Sequence, residues 1–141
     1  MTSPAPAVTL ANLETLIARE PFMQGYDLKV LELVRGGATI EIPYNPRFDR
    51  PGGVVSGPVL MTAADAAFWF AVMSEIGMET MAVTSELNNA FLRPAVREPV
   101  ICKAQILKSG KKLIYGTAEC MSTSGRLFSH HTVTYACMDK V

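Results

Sequence analysis

"RPGGVVSGPVLMTAADAAFWFAV", Arg50 to Val72, opens on glycine and proline and runs on as an apolar segment holding one carboxylate, Asp65. From Pro58 to Ile76 the run is 19 residues, close to the span of a bilayer. Asp65 near its middle would cost about 2.5–3.5 kcal/mol on insertion. The alanines and threonine around it add little drive into lipid, and the rest of the chain reads as soluble strands. The segment is therefore predicted to be a helix enclosed by protein on all sides, stopping near Gly77, a residue suited to a helix end.

Upstream, "MTSPAPAV" is a loose lead-in with two prolines. From Thr9, a suitable N-cap, Leu10, Leu13, Leu16 and Ile17 recur at helical spacing and predict a short amphipathic helix to about Arg19. "EPFMQGYD" reads as turn. Leu28–Val34 and Ala38–Tyr44 flank "RGG" as a hairpin, with Ala38, Ile40, Ile42 and Tyr44 alternating against Thr39, Glu41 and Pro43. Asn45–Val55 reads as a loop. Downstream lie four strand-like runs, at about 80–92, 99–108, 112–122 and 127–138; "KSGKK" and "TSGR" suit tight turns. The class is α+β, with a lead-in helix over 1–26 and a single domain over 27–141.

Hydrophobic residues make up 49% of the 141 and charged residues 18%, as in a folded domain. Thirteen basic side chains balance thirteen acidic ones, so no overall field draws the protein to nucleic acid or anionic lipid. The N-terminus has no basic start followed by an apolar stretch, so no secretory signal is read there. Cys102, Cys120 and Cys137 are odd in number and form no CxxC pair, which fits neither a disulfide framework nor a zinc site. They read as small buried residues of a cytoplasmic protein, and no metal or cofactor is expected.

A helix that is apolar all round needs cover on its whole circumference. Six antiparallel strands supply one face of cover and leave open sheet edges. Two copies with their helices side by side answer both needs, so burial by itself predicts a homodimer.

"GGVVSGPVLMTAADAA" at 52–67, "AVTSELNNAFLRPA" at 82–95 and the closing pair of strands resemble the hotdog-fold, PaaI-like acyl-CoA thioesterases over roughly 28–138. The resemblance implies a curled antiparallel sheet wrapped around a long central helix, an acyl-CoA substrate, and a dimer that commonly pairs again. That family's pattern is Asn, a short Gly loop, His-Gly-Gly, then Asp nine residues after the His. Here Ser56-Gly57-Pro58 stands for His-Gly-Gly, and Asp65 keeps the spacing. The Asn six residues before the His aligns with Arg50, with Asn45 five residues further upstream as its substitute. The Thr or Ser opening the next strand is matched by Thr84, with Ser85 beside it.

Thioester hydrolysis needs a polarised carbonyl and an activated water or nucleophile. A helix N-terminus offers free N–H groups, and Gly57 lets a substrate approach the backbone. Pro58 contributes no N–H, and Ser56 suits an N-cap, so the same residues also read as a plain helix start. Asp65 among Ala63, Ala64, Ala66 and Ala67 is expected in apolar surroundings that raise a carboxyl's pKa towards a general base, one that activates water or attacks the carbonyl directly as nucleophile; a structural, hydrogen-bonded Asp is the alternative. Thr62, on nearly the same face, is expected to orient it. Ser56 as nucleophile has no partner, because His130 and His131 lie on a distant strand facing opposite ways.

Thr84 and Ser85 are candidates to hold the water, and Asn88 and Asn89 to meet pantetheine amides. Arg50, Arg93 and Lys111 are candidates for the CoA phosphates, although "KSGKK" also reads as a solvated hairpin. Phe68, Trp69 and Phe70 form either an acyl wall or core. Gly57 and Asp65 lie eight residues apart, about 12 Å along a helix at ~1.5 Å per residue. One helix cannot apply both to one carbonyl, so antiparallel helices in a dimer would compose the site. A non-catalytic acyl-CoA binder on the same scaffold is the alternative.

Overall fold

A computed structural model describes residues 4–78 and 81–138. Positions 1–3 of the lead-in, the predicted strand start at 80 and the chain end at 139–141 lie outside the described residues. The first helix, α1, spans Leu10–Arg19 and begins where a capping box forms. Thr9 Oγ1 accepts from Asn12 N at 3.1 Å, and Asn12 Oδ1 accepts from Thr9 N at 2.9 Å. Leu13 and Leu16 are buried. A single 3-10 turn, Pro21–Met23, then reverses the chain.

Strands β1 (Lys29–Val34) and β2 (Gly37–Ile42) form the predicted hairpin. The segment 45–55, expected to be plain loop, carries more structure. Asn45 Oδ1 accepts from Arg47 N at 3.0 Å and caps a 3-10 turn at Pro46–Phe48. Two short strands follow, β3 (Asp49–Arg50) and β4 (Val54–Val55), paired around Gly52 and Gly53 at φ +97° and +75°. This ribbon delivers the chain to the start of α2, Gly57–Ile76. Strands β5 (Ala82–Phe91), β6 (Val100–Ser109), β7 (Leu113–Met121) and β8 (Leu127–Cys137) complete the chain. The main sheet is antiparallel, in the order β1-β2-β6-β7-β8-β5.

The sheet curls around α2, the hotdog arrangement that the resemblance implies. Ala63, Ala64, Ala67 and Ala71 are fully buried, and small side chains let the helix sit close to the strands. Gly116 on β7 is part of that fit. A Cβ there would lie 2.6 Å from the Phe68 ring and strike the backbone oxygen of Gln105. Phe68, Phe70 and Phe128 are fully buried, worth about 1.5–3 kcal/mol each. Near the helix end, Ser74 Oγ donates to Ala71 O at 2.6 Å and accepts from Gly36 N at 2.8 Å, tying α2 to the β1–β2 turn. Cys102 and Cys120 are buried, and Cys137 partly so.

By length and composition α2 passes for a membrane span, but most of it is packed inside the protein, as a core helix. Among the described residues the cover leaves a gap along the middle of the helix. Met61, Thr62, Asp65 and Trp69 are only half-buried and form a stripe at helical spacing that the chain's own sheet leaves open. Beside it, edge strand β5 is exposed along most of its length.

Candidate functional site

The open stripe of α2 lines a cavity of about 350 Å³ that Thr84, Tyr135 and an aromatic group around Phe22 complete. Strand pairing explains how two hydroxyls reach Asp65. Thr84 and Tyr135 are cross-strand partners on β5 and β8, so their side chains share a face. Directly after Thr84 the register shifts, and Ser85 is the extra residue of the bulge. Thr84 Oγ1 donates to Asp65 Oδ1 at 2.6 Å, and the Tyr135 hydroxyl donates to the same oxygen at 2.8 Å. Tyr135 also lies 3.1 Å from the Asp65 backbone oxygen. Oδ2 has no hydrogen-bond donor among the described residues.

The alanines flanking Asp65 therefore pack inward, whereas its carboxylate turns out to the cavity and meets two hydroxyls. The uniformly apolar setting expected from the neighbours is not what this group experiences. Burial, and next the Asp65 charge, push the Tyr135 phenol well above its ordinary range, so it stays a proton donor. Thr62 lines the same cavity but does not orient the carboxylate: its hydroxyl donates to Pro58 O at 3.0 Å, the local bond a helical threonine makes.

Gly57 opens on a different cavity, of about 280 Å³, lined by Arg50, Val54, Leu60, Phe91 and Arg93 among others. Gly57 is the first residue of α2, and its N–H has no acceptor within the helix. Ser56 occupies the N-cap position, yet its side chain makes no cap bond. Val59 N is used on Ser56 O at 3.1 Å, and Pro58 has no N–H, so Gly57 is the amide left at this helix start. A Cβ on Gly57 would touch the Phe91 ring at 3.4 Å, an ordinary contact. Room alone does not demand glycine there.

The remaining candidates lie elsewhere. Asn45 serves as a turn cap and borders neither cavity. Ser85 is exposed on the bulge. Asn88 Nδ2 donates to Glu86 Oε1 at 2.7 Å and Thr132 Oγ1 at 3.1 Å, a cross-strand lattice on the sheet. Lys111 is exposed in the β6–β7 turn and lines neither cavity. Arg93 Nη1 donates to Leu127 O at 3.1 Å while lining the Gly57 cavity.

The two histidines face opposite ways, as expected. His130 is half-exposed, 3.6 Å from Glu119. His131 is fully buried: its Nδ1 is 2.6 Å from Asn89 Oδ1 and its Nε2 is 2.7 Å from Ser129 Oγ. Asn89 Oδ1 only accepts, so Nδ1 carries the proton. Both ring nitrogens are engaged inside the core, behind Phe91, whose ring stands edge-on at 6.2 Å. Asn89 is thereby committed inward and not to a ligand amide.

Sequence reasoning missed Tyr135, Phe22, Met23 and Tyr26. A Tyr in a closing strand has no local mark, because only the register against Thr84 aims it at Asp65. Phe22 stood inside a segment read as turn, where an exposed aromatic was the available signal.

Residues 52–129 match a family model described as the thioesterase superfamily. A protein of Saccharolobus solfataricus that carries an esterase name is 34% identical over 101 residues, covering 72% of this chain and 71% of its own length. The PaaI protein of the E. coli phenylacetic acid degradation operon superposes with a TM-score of 0.83 at 17% identity, over 93% of this chain and 94% of that one. A mutant of the phenylacetic acid degradation protein PaaI from Thermus thermophilus gives 0.75 at 25% identity, over 84% and 100%.

Proposed function

Because the chain belongs to the thioesterase superfamily, we propose that it hydrolyses acyl-CoA thioesters, with Asp65 as general base and the Gly57 N–H of a second copy as oxyanion donor. The observation that carries this reading is the carboxylate itself. Thr84 and Tyr135 hold Oδ1, while Oδ2 has no donor among the described residues and the residue lines the cavity. A water beside Oδ2 gives up a proton as its oxygen attacks the thioester carbon. Charge gathers on the carbonyl oxygen, where an amide at a helix N-terminus stabilises it. Collapse of the adduct then expels the CoA thiolate and leaves the free acid.

Two features support a shared site. Gly57 and Asp65 open on separate cavities of one chain, and the ~12 Å of helix between them exceeds the reach of a single carbonyl. Antiparallel pairing of two α2 helices sets each Asp65 against the other copy's Gly57, with two sites per dimer. It also covers the open stripe of α2 and the exposed edge β5. Arg50 and Arg93 then lie on the CoA side and suit its phosphates. The setting that goes with this chemistry is the cytoplasm, where CoA esters and free thiols coexist.

One observation favours a second reading, a non-catalytic acyl-CoA binder: the helix start keeps a single free amide. Thiol release from a panel of acyl-CoA esters separates the two. Fast release by the wild type and its loss in Asp65→Ala supports the enzyme. Equal, slow release by both overturns it in favour of the binder.

A further inference from the structure

The outer wall of the Asp65 cavity comes from outside the 52–129 segment that the family model matches. Phe22, Met23 and Tyr26 belong to the turn after α1 and its exit. Phe22 is 64% exposed, an unusual place for a phenyl ring. It stays there because it packs on Trp69, ring centroids 5.9 Å apart and planes tilted by 40°. Trp69 in turn stacks on buried Phe70 at 6.0 Å, so the indole is anchored from behind and Phe22 only from one side.

Position along α2 gives this pair a role. Trp69 stands four residues after Asp65, one helical turn or about 6 Å further on, in the same open stripe. Small residues, Ala66 and Ala82, line the space between. In the shared site CoA enters with the Gly57 cavity of the second copy, so the Asp65 cavity is left for the acyl group. That group extends from the carboxylate along a floor of small side chains until it meets the Phe22–Trp69 pair.

We infer that Phe22 is the end-stop of the acyl cavity, closing it against Trp69 so that compact acyl groups fit and long straight chains do not. This rests on the thioesterase reading for the identity of the ligand. Removing the ring opens the far end of the cavity, because no described residue of the chain packs over its exposed side. A long chain then runs past Trp69 and out.

The test compares wild type, Phe22→Ala and Phe22→Trp on butyryl-, octanoyl- and palmitoyl-CoA. Phe22→Ala is expected to raise the palmitoyl-to-butyryl ratio of kcat/KM by about 10-fold or more, chiefly through KM, and Phe22→Trp to lower it. Trp69 is the single tryptophan of the wild type and provides a readout independent of catalysis. Titration with free fatty acids is expected to change its emission with short acids in wild type, and with long acids as well in Phe22→Ala. A chain-length ratio and an emission response both unmoved in a folded Phe22→Ala protein would overturn the inference. If no form hydrolyses any ester but the emission still extends to long acids in Phe22→Ala, the end-stop stands and the hydrolase reading fails.

Discussion

Near the middle of α2 a carboxylate is gripped by two hydroxyls before any ligand arrives; at the helix start, an amide opens on a cavity whose wall includes a phenyl ring. The Asp65 carboxylate depends on three elements at once, α2, β5 and β8, and both hydrogen bonds to its Oδ1 are side chain to side chain. Gly57 depends on one, because a helix start presents its N–H whatever surrounds it. The first half-site is built by tertiary contacts and the second by helix geometry. The proposed hydrolysis uses both, and a single chain holds them ~12 Å apart. Breaking each group separately shows whether they work as one.

The largest effect is expected from Asp65→Ala, a loss of kcat of roughly 10³–10⁴-fold, read from steady-state thiol release. Gly57→Pro removes the other half. Proline is accepted in a first helical turn, so the fold should persist by circular dichroism while kcat falls about 10²–10³-fold. Mixing the two inactive proteins through refolding then tests the comparison directly. Mixed dimers carry one site with both groups intact, so activity should return. Two inactive parents that stay inactive together would show that Asp65 and Gly57 act within one chain or not at all.

Tyr135→Phe keeps the ring that packs on Phe68 at 5.5 Å and deletes only the donor to Asp65. A hydrogen bond to a charged group is worth about 1.5–3 kcal/mol, so kcat should fall roughly 10- to 100-fold with little change in KM. The same residue predicts a pH effect on stability. Its folded pKa is raised above the ordinary 10.0, so folding favours the neutral phenol. That contribution is fully present below pH 10.0 and is lost as pH rises through the folded value. Denaturant melts of wild type should therefore weaken at alkaline pH beyond 10, and Tyr135→Phe should lack that component. The smallest effect belongs to Arg50→Ala and Arg93→Ala, whose exposed charges should shift KM for CoA esters by roughly 2- to 5-fold and less at high salt.

Much of the architecture could be read from periodicity. The unbroken apolar run with its central Asp is legible as a core helix, because a helix covered on nearly every side needs no polar face. The alternation from Ala38 to Tyr44 is legible as a strand for the converse reason. The ribbon β3–β4 was not, since two-residue strands carry no period. Asn45 shows the limit at the site: the family pattern offered it as a stand-in for the expected Asn, and its side chain instead accepts from Arg47 N and caps a turn.

The sequence by itself determined a central helix with Asp65 near its middle, a glycine at its start, and their separation, because helical rise per residue is a local constant. Only the tertiary structure decided that Tyr135 and Thr84 share Oδ1, that His131 is sealed in the core, and that Phe22 lines the cavity beside Trp69. The first two placements come from strand register, which a one-residue bulge resets after Thr84, and a shift of one residue turns a side chain to the opposite face of a sheet; the third comes from a turn packed on Trp69.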